Sequence, residues 1–309
     1  MQLTTPLIKN EKQPMKKDQF SNHQEKKAVI VSNKIDFPVY FKRTRLSDEI
    51  LESVALTRYA IKDGKPDRHD IALSTDAGMA FVTQGVSNWK VDVMSEQGIL
   101  PHEELPEMIT VKATWYTAKE ARAHGIKVVS GESANVFGGM GTLLVPDDFC
   151  IPTTMATKQN VKYYGLELIE NNRNLTVISD NYDIVMMKYD YKHNYKREFL
   201  LQEHGGGGIF IEKHEFPHVH IPLSAECGGY IVIGKQVSAH EFNFTAFQIP
   251  YKYALYTPSN TIHGDGTLVG EYGLTVADPE TASANTVLIY NEHTKAMADD
   301  VVPDWKPES

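Results

Sequence analysis

Cysteine is scarce in this chain: Cys150 and Cys227 are the two present, too few and too far apart for a disulfide framework. They fit a reducing compartment, and each is read as a small buried hydrophobe. No run of about 18 apolar residues occurs, so the sequence offers no membrane-spanning helix. Positive charge is also short, with 31 lysines and arginines against 40 acidic residues and a formal net charge of -9. That deficit, with no basic cluster to offset it, argues against binding to phosphate backbones and excludes nucleic acid as an expected partner. Residues 1–27 are rich in Lys, Gln and Asn and lack the apolar core of a secretory signal. They predict a disordered leader on a cytoplasmic protein that no membrane holds.

What is present fits a globular chain, with 41% hydrophobic residues over 309 positions. A helix is predicted over Ser47 to Ile61, where Ser47 caps, Asp48 and Glu49 suit the dipole and Gly64 stops it. A second, Ala118 to His124, is announced by the capping box Thr117-x-x-Glu120 and closed by Gly125. Elsewhere the signal is β. Met108 to Trp115, Leu175 to Ile178, Ile184 to Tyr191, Tyr230 to Ile233, Phe244 to Ile249 and Thr286 to Tyr290 are short, β-branched or aromatic segments between turn residues. Many short strands suggest a sandwich or barrel. A division is drawn near residue 160 between an α+β portion (28–160) and a β portion (161–295), followed by a loose tail (296–309); a single continuous β-rich fold is the other reading.

The strongest functional lead is Phe216-Pro217-His218-Val219-His220-Ile221-Pro222, because residues i and i+2 of a strand share a face and aim two imidazoles at one place. Further on, Pro258-Ser259-Asn260-Thr261-Ile262-His263 ends a tight turn with a third histidine. Three convergent imidazoles suit a first-row transition metal, and Glu226, six residues after His220, is the candidate carboxylate. His214 and His204 are read as rim or surface residues. Gly205 to Gly208 has no Gly-Lys-Ser/Thr after it and leads into a strand, Ile209-Phe210-Ile211. Close backbone approach explains those glycines better than a phosphate cradle does.

These two motifs resemble those of the cupin superfamily, whose first runs H-x-H, three or four residues, then E, and whose second contains P-x-G-x-x-H. Here five residues separate His220 from Glu226, and Asn260 stands in the glycine place of the second motif. Asn tolerates a left-handed backbone, so that exchange is mild. The shifted Glu226 turns outward unless a bulge at Gly228-Gly229 restores its register.

The resemblance covers about residues 205–290. It implies a mainly β, cupin-type barrel in the C-terminal half, with an N-terminal α+β portion that forms a second degenerate barrel or packs against the first. It also implies a homodimer and one divalent metal held by His218, His220, Glu226 and His263, iron foremost, with manganese, zinc or nickel as the others. Iron would make the protein an oxygenase of a small polar organic molecule. Zinc or manganese would suit a sugar or keto-acid isomerase or lyase, with Glu226 or Tyr256 as the base. A metal-free ligand-binding or structural cupin is the third reading. Tyr251, Tyr253, Lys213, Gln248 and Asp265 are further candidates to face a substrate.

Overall fold

The computed structural model describes residues 26–27, 40–41, 54–82, 85–90, 105–128, 140–170, 173–179, 181–277 and 282–307. In chain order the early strands are β1 (Lys26–Lys27), β2 (Tyr40–Phe41), β3 (Thr57–Lys62), β4 (Lys65–Val82), β5 (Gly85–Lys90), β6 (Ile109–Lys112) and β7 (Thr114–Tyr116). After helix α1 (Ala118–Ala123) come β8 (Gly141–Val145), β9 (Thr153–Met155), β10 (Glu167–Glu170), β11 (Asn174–Ser179) and β12 (Ile184–Tyr191). The series ends with β13 (Phe210–His214), β14 (His218–Pro222), β15 (Gly228–Ser238), β16 (Glu241–Gln248), β17 (Tyr253–Thr257), β18 (Ile262–Ala277) and β19 (Ala284–Asn291). The protein is mainly β, and 15 of these strands join in one mixed sheet.

Strand β18 organises that sheet. Its first half pairs with β15 and its second half with β12 and β14, the change falling around Gly270 at φ 99°. One long strand thus carries side chains into both sets of partners. Strands from either side of residue 160 are neighbours: β4 pairs with β12, β6 and β9 with β16, and β8 with β19. The N-terminal portion therefore extends the sheet instead of standing apart from it.

Alternation sorts the side chains. On β14, Val219 and Ile221 enter a smaller apolar cluster with Leu175, Val177, Ile184 and Met186. The opposite face of the same strands looks into the main core, where Leu255, Leu274, Met187 and Tyr189 meet Ile231, Ile233, Phe244 and Phe247. His218 and His220 lie on that inner face, since Leu255 and Leu274 are the register partners of His220.

Two expected elements come out differently. Of the predicted helix Ser47 to Ile61, Val54 is helical, residues 57–61 lie in β3, and residues 47–53 are outside the described residues. Asp63 and Gly64, at φ 51° and 72°, form the tight turn of a hairpin in which Lys62 pairs with Lys65. The glycine that reads as a helix stop is the second residue of an Asp-Gly hairpin turn. The tail, expected to be loose, is docked: Val301 and Val302 are buried, and Ile151 N–H donates to the Val301 carbonyl at 2.7 Å. Lys196 holds the Val302 carbonyl and Asp304, and Arg197 clasps Asp304 as well. A Val-Val pair to bury and an acidic residue for two cations explain the docking.

Other expectations are met. Helix α1 carries its capping box, with Thr117 N–H donating to Glu120 Oε2 at 2.8 Å and Glu120 N–H to Thr117 Oγ1 at 3.4 Å. A side chain at Gly205 would meet the Phe199 carbonyl at 2.4 Å, so close backbone approach accounts for that glycine. Cys227 is buried as expected, whereas Cys150 is exposed. Among the described residues no helix is long and apolar enough to cross a membrane. Of the expected leader, residues 1–25 lie outside the described residues, and Lys26–Lys27 form β1.

Candidate metal centre

Three strands and a turn build the site. β13 ends in Glu212-Lys213-His214, whose first and third residues share a face and are buried. Four residues later β14 begins with His218, also buried. The turn after β17 sets Asn260 in the left-handed region at φ 63°, and its N–H donates to the His214 carbonyl at 2.7 Å. That bond ties the second motif to the strand preceding the first. Asn260 fills the glycine role as its tolerance of left-handed backbone predicts. His263 follows at the head of β18, in register with Glu212 of β13.

Glu212, His214, His218 and His263 thereby form one buried group, each offering a ligand atom, with these atoms all within 4.8 Å of one another. The three histidine rings pack edge to face, their centroids 4.6 to 4.9 Å apart. His214 is also stacked on Phe216 at 3.7 Å, which holds its ring in place.

Backbone carbonyls set the tautomers. His214 Nδ1 meets the Phe216 carbonyl, His218 Nδ1 the Thr275 carbonyl and His263 Nδ1 the Thr261 carbonyl. A carbonyl oxygen only accepts, so each Nδ1 carries the proton and each neutral ring presents its Nε2 lone pair to the group. Burial, then the neighbouring imidazoles, pushes His214 and His218 well below the usual histidine value, which keeps both neutral.

Two of these lone pairs, on His214 and His218, face each other at 2.9 Å. Two acceptors at that distance repel unless a cation lies between them. Burial disfavours a proton there, whereas a metal ion uses both. His263 Nε2 has no hydrogen-bond partner, and its approach to Glu212 Oε1, at 3.8 Å, is too long for one. Thr286 donates to the other oxygen, Glu212 Oε2, at 2.9 Å, the kind of outer contact that orients a ligating carboxylate.

Of the residues the sequence singles out, the structure gathers His218 and His263 and places the others elsewhere. His220 is fully buried beside them on the same face, but lies outside the group of four; Asp265 Oδ2 is 3.9 Å from its Nε2. Glu226 is exposed on the turn between β14 and β15, where Cys227 N–H closes on the Ser224 carbonyl, and the carboxylate that joins the histidines is Glu212. The β15 ladder does shift register, but after Tyr230, beyond the point that would turn Glu226 inward. Tyr256 pairs with Val219, so it stands on the opposite face of β14 from His218 and packs against the outer cluster.

Glu212 and His214 are the residues that motif reading missed. Their signal was local: Glu-x-His at i, i+2 at the end of the strand that begins Ile209-Phe210-Ile211, four residues before His218. His204, in contrast, is exposed.

Beyond these four residues, Asp265 accepts a hydrogen bond from the Tyr191 hydroxyl at 2.7 Å. Burial works against its charge, but His220 and Tyr191 outweigh that and hold Asp265 below the usual carboxylate range. Tyr191 is pushed well above the ordinary tyrosine value by burial and by Asp265. Comparison with protein-family models, curated proteins and solved structures finds no match for this chain.

Proposed function

We propose that the chain is a metal-dependent enzyme with a cupin-type barrel in its C-terminal half, and that it acts as a non-haem iron oxygenase on a small polar organic molecule. One observation carries the reading: the Nε2 lone pairs of His214, His218 and His263 converge on the Glu212 carboxylate, with all three tautomers set by backbone carbonyls. A donor set of three imidazoles and one carboxylate is one that iron accepts. Iron would bring the one-electron chemistry that dioxygen requires. The protein's part is to hold the neutral imidazoles, to orient Glu212 through Thr286, and to keep bulk water out of a buried site.

The test is elemental analysis of the purified protein joined to oxygen uptake. About one iron per chain, with oxygen consumed on a panel of small organic acids and thiols, supports the proposal. Zinc in its place, with no oxygen uptake, transfers the site to the isomerase reading. A protein that takes up no metal from any first-row ion refutes the metal centre.

A further inference from the structure

Arg58 of β3 lies opposite Leu73 of β4, and Leu73 lies opposite Tyr191 of β12, so the three side chains share one face of the sheet. It is the face from which Tyr191 reaches Asp265. The half-buried guanidinium donates to the Tyr195 hydroxyl and lies over the rings of Tyr195 and Phe199, 6.0 and 5.6 Å from their centroids. A one-turn π-helix, Lys196–Leu200, presents Phe199, with Tyr195 as its leading residue. Among the described residues the guanidinium has one side-chain acceptor, the Tyr195 hydroxyl, and forms no ion pair with a carboxylate. Asp265, the acid within electrostatic reach, is turned to Tyr191 and His220.

A second set of unmet groups lies further along this face. His220 is fully buried and neither ring nitrogen has a hydrogen-bond partner. Thr257, opposite His218 and 1% exposed, has an unpartnered hydroxyl. Buried polar groups are ordinarily satisfied, so these mark a place where a ligand supplies the missing partners. Side chains in sequence of contact link the two sets: Tyr195 and Tyr191 rings 5.9 Å apart, Tyr191 to Asp265 2.7 Å, Asp265 to His220 3.9 Å, and His220 to His218 rings 5.3 Å.

We propose that this inner face, from Arg58 to His220, is the substrate subsite and takes a small organic acid carrying a second polar group such as a hydroxyl or amine. Arg58 meets the carboxylate through its planar fork. His220 and Asp265 meet the second group and bring it beside the metal ligands. Tyr189, Tyr191, Tyr195 and Leu73 supply apolar walls for the carbon chain. A phosphate ester, with up to two negative charges, would face Asp265 and Glu212 with one guanidinium to balance it; a single carboxylate suits that balance. The inference rests on the proposed function for the identity of the reacting end, and it supplies the substrate class.

Calorimetric titration of the holoprotein with lactate and alanine tests it, with lactamide and inorganic phosphate as controls. The carboxylates bind and the controls do not, and Arg58→Gln weakens binding by roughly tenfold or more while metal content stays unchanged. Tyr195→Phe, which keeps the charge but removes the hydroxyl that positions the guanidinium, weakens it severalfold. Equal affinity in wild type and Arg58→Gln overturns the proposal, because the acids would then be chelating the metal alone. Controls binding as well as the acids, or no binding at all, also overturn it. If Arg58→Gln does not fold, unchanged affinity in Tyr195→Phe has the same force. The metal reading fails separately, in a wild type that holds no metal yet binds the acids through Arg58.

Discussion

Replacing the candidate ligands one at a time separates the four residues gathered in the structure from the set read off the motifs. A metal at about a hundred times its dissociation constant stabilises the fold by about 2.7 kcal/mol. Unfolding entropy for 309 residues, at about 2.1 cal/mol/K each, is about 0.65 kcal/mol/K. The ion should therefore raise the melting temperature by about 4 °C. The assay is the difference between melts with metal and with chelator within each variant, which cancels the cost of the cavity that each substitution leaves. Glu212→Ala, His214→Ala and His218→Ala each remove a buried ligand atom, so the shift should shrink to under about 1 °C as the dissociation constant rises above the metal concentration. Glu226→Ala, exposed on its turn, should keep the full shift, and so should His220→Ala, outside the group. The reverse pattern, with Glu226 and His220 required and Glu212 and His214 dispensable, refutes the geometric assignment.

Thr286→Val deletes the hydroxyl that orients Glu212 while keeping a β-branched shape; metal affinity should fall about 10- to 100-fold in a competition titration with a chelator. Burial raises Tyr290 to about 12 and pushes Tyr191 and Tyr272 well above the ordinary tyrosine value. A raised value means that stability is complete below about pH 10 and falls as pH rises towards the folded value. For Tyr290 that window is pH 10 to about 12, and absorbance at 295 nm should show these phenols ionising only as the protein unfolds. Burial opposes the charge on Asp304, but Arg197 and Lys196 outweigh it and hold the carboxyl below its usual range. The tail clasp therefore persists above the usual carboxylate range and is lost as pH falls through the lowered value, which limited proteolysis of the C-terminus should register. Gly228→Ala sets a methyl group 2.0 Å from the Trp305 indole, so Trp305 fluorescence should shift red as the tail is displaced.

The strands were largely legible because their cause is local. Ile184 to Tyr191 matches β12, and the β-branched run Thr286 to Tyr290 falls inside β19. Helix α1 was legible through its capping box, which satisfies backbone donors within four residues. The helix end expected at Ile61 was misplaced because Gly64 serves a helix stop and a hairpin turn equally well; pairing of β3 with β4 decides between them. The tail failed for a related reason: acidic and Pro-containing sequence around Val301 and Val302 reads as loose, and the partners Ile151, Lys196 and Arg197 lie more than a hundred positions earlier.

By itself the sequence determined that His218 and His220 face one way and that a turn brings His263 near, because strand alternation and turn chemistry are written in neighbouring residues. It pointed to a metal and to a mainly β fold on that basis. Which carboxylate joins the histidines was decided by tertiary structure: the β13–β18 register sets Glu212 beside His263, while the turn before β15 leaves Glu226 in solvent. The choice of His214 over His220 was decided the same way, since convergence on one point depends on where three strands cross. Alternation gives the side to which a residue points, and the register between distant strands gives what it meets there.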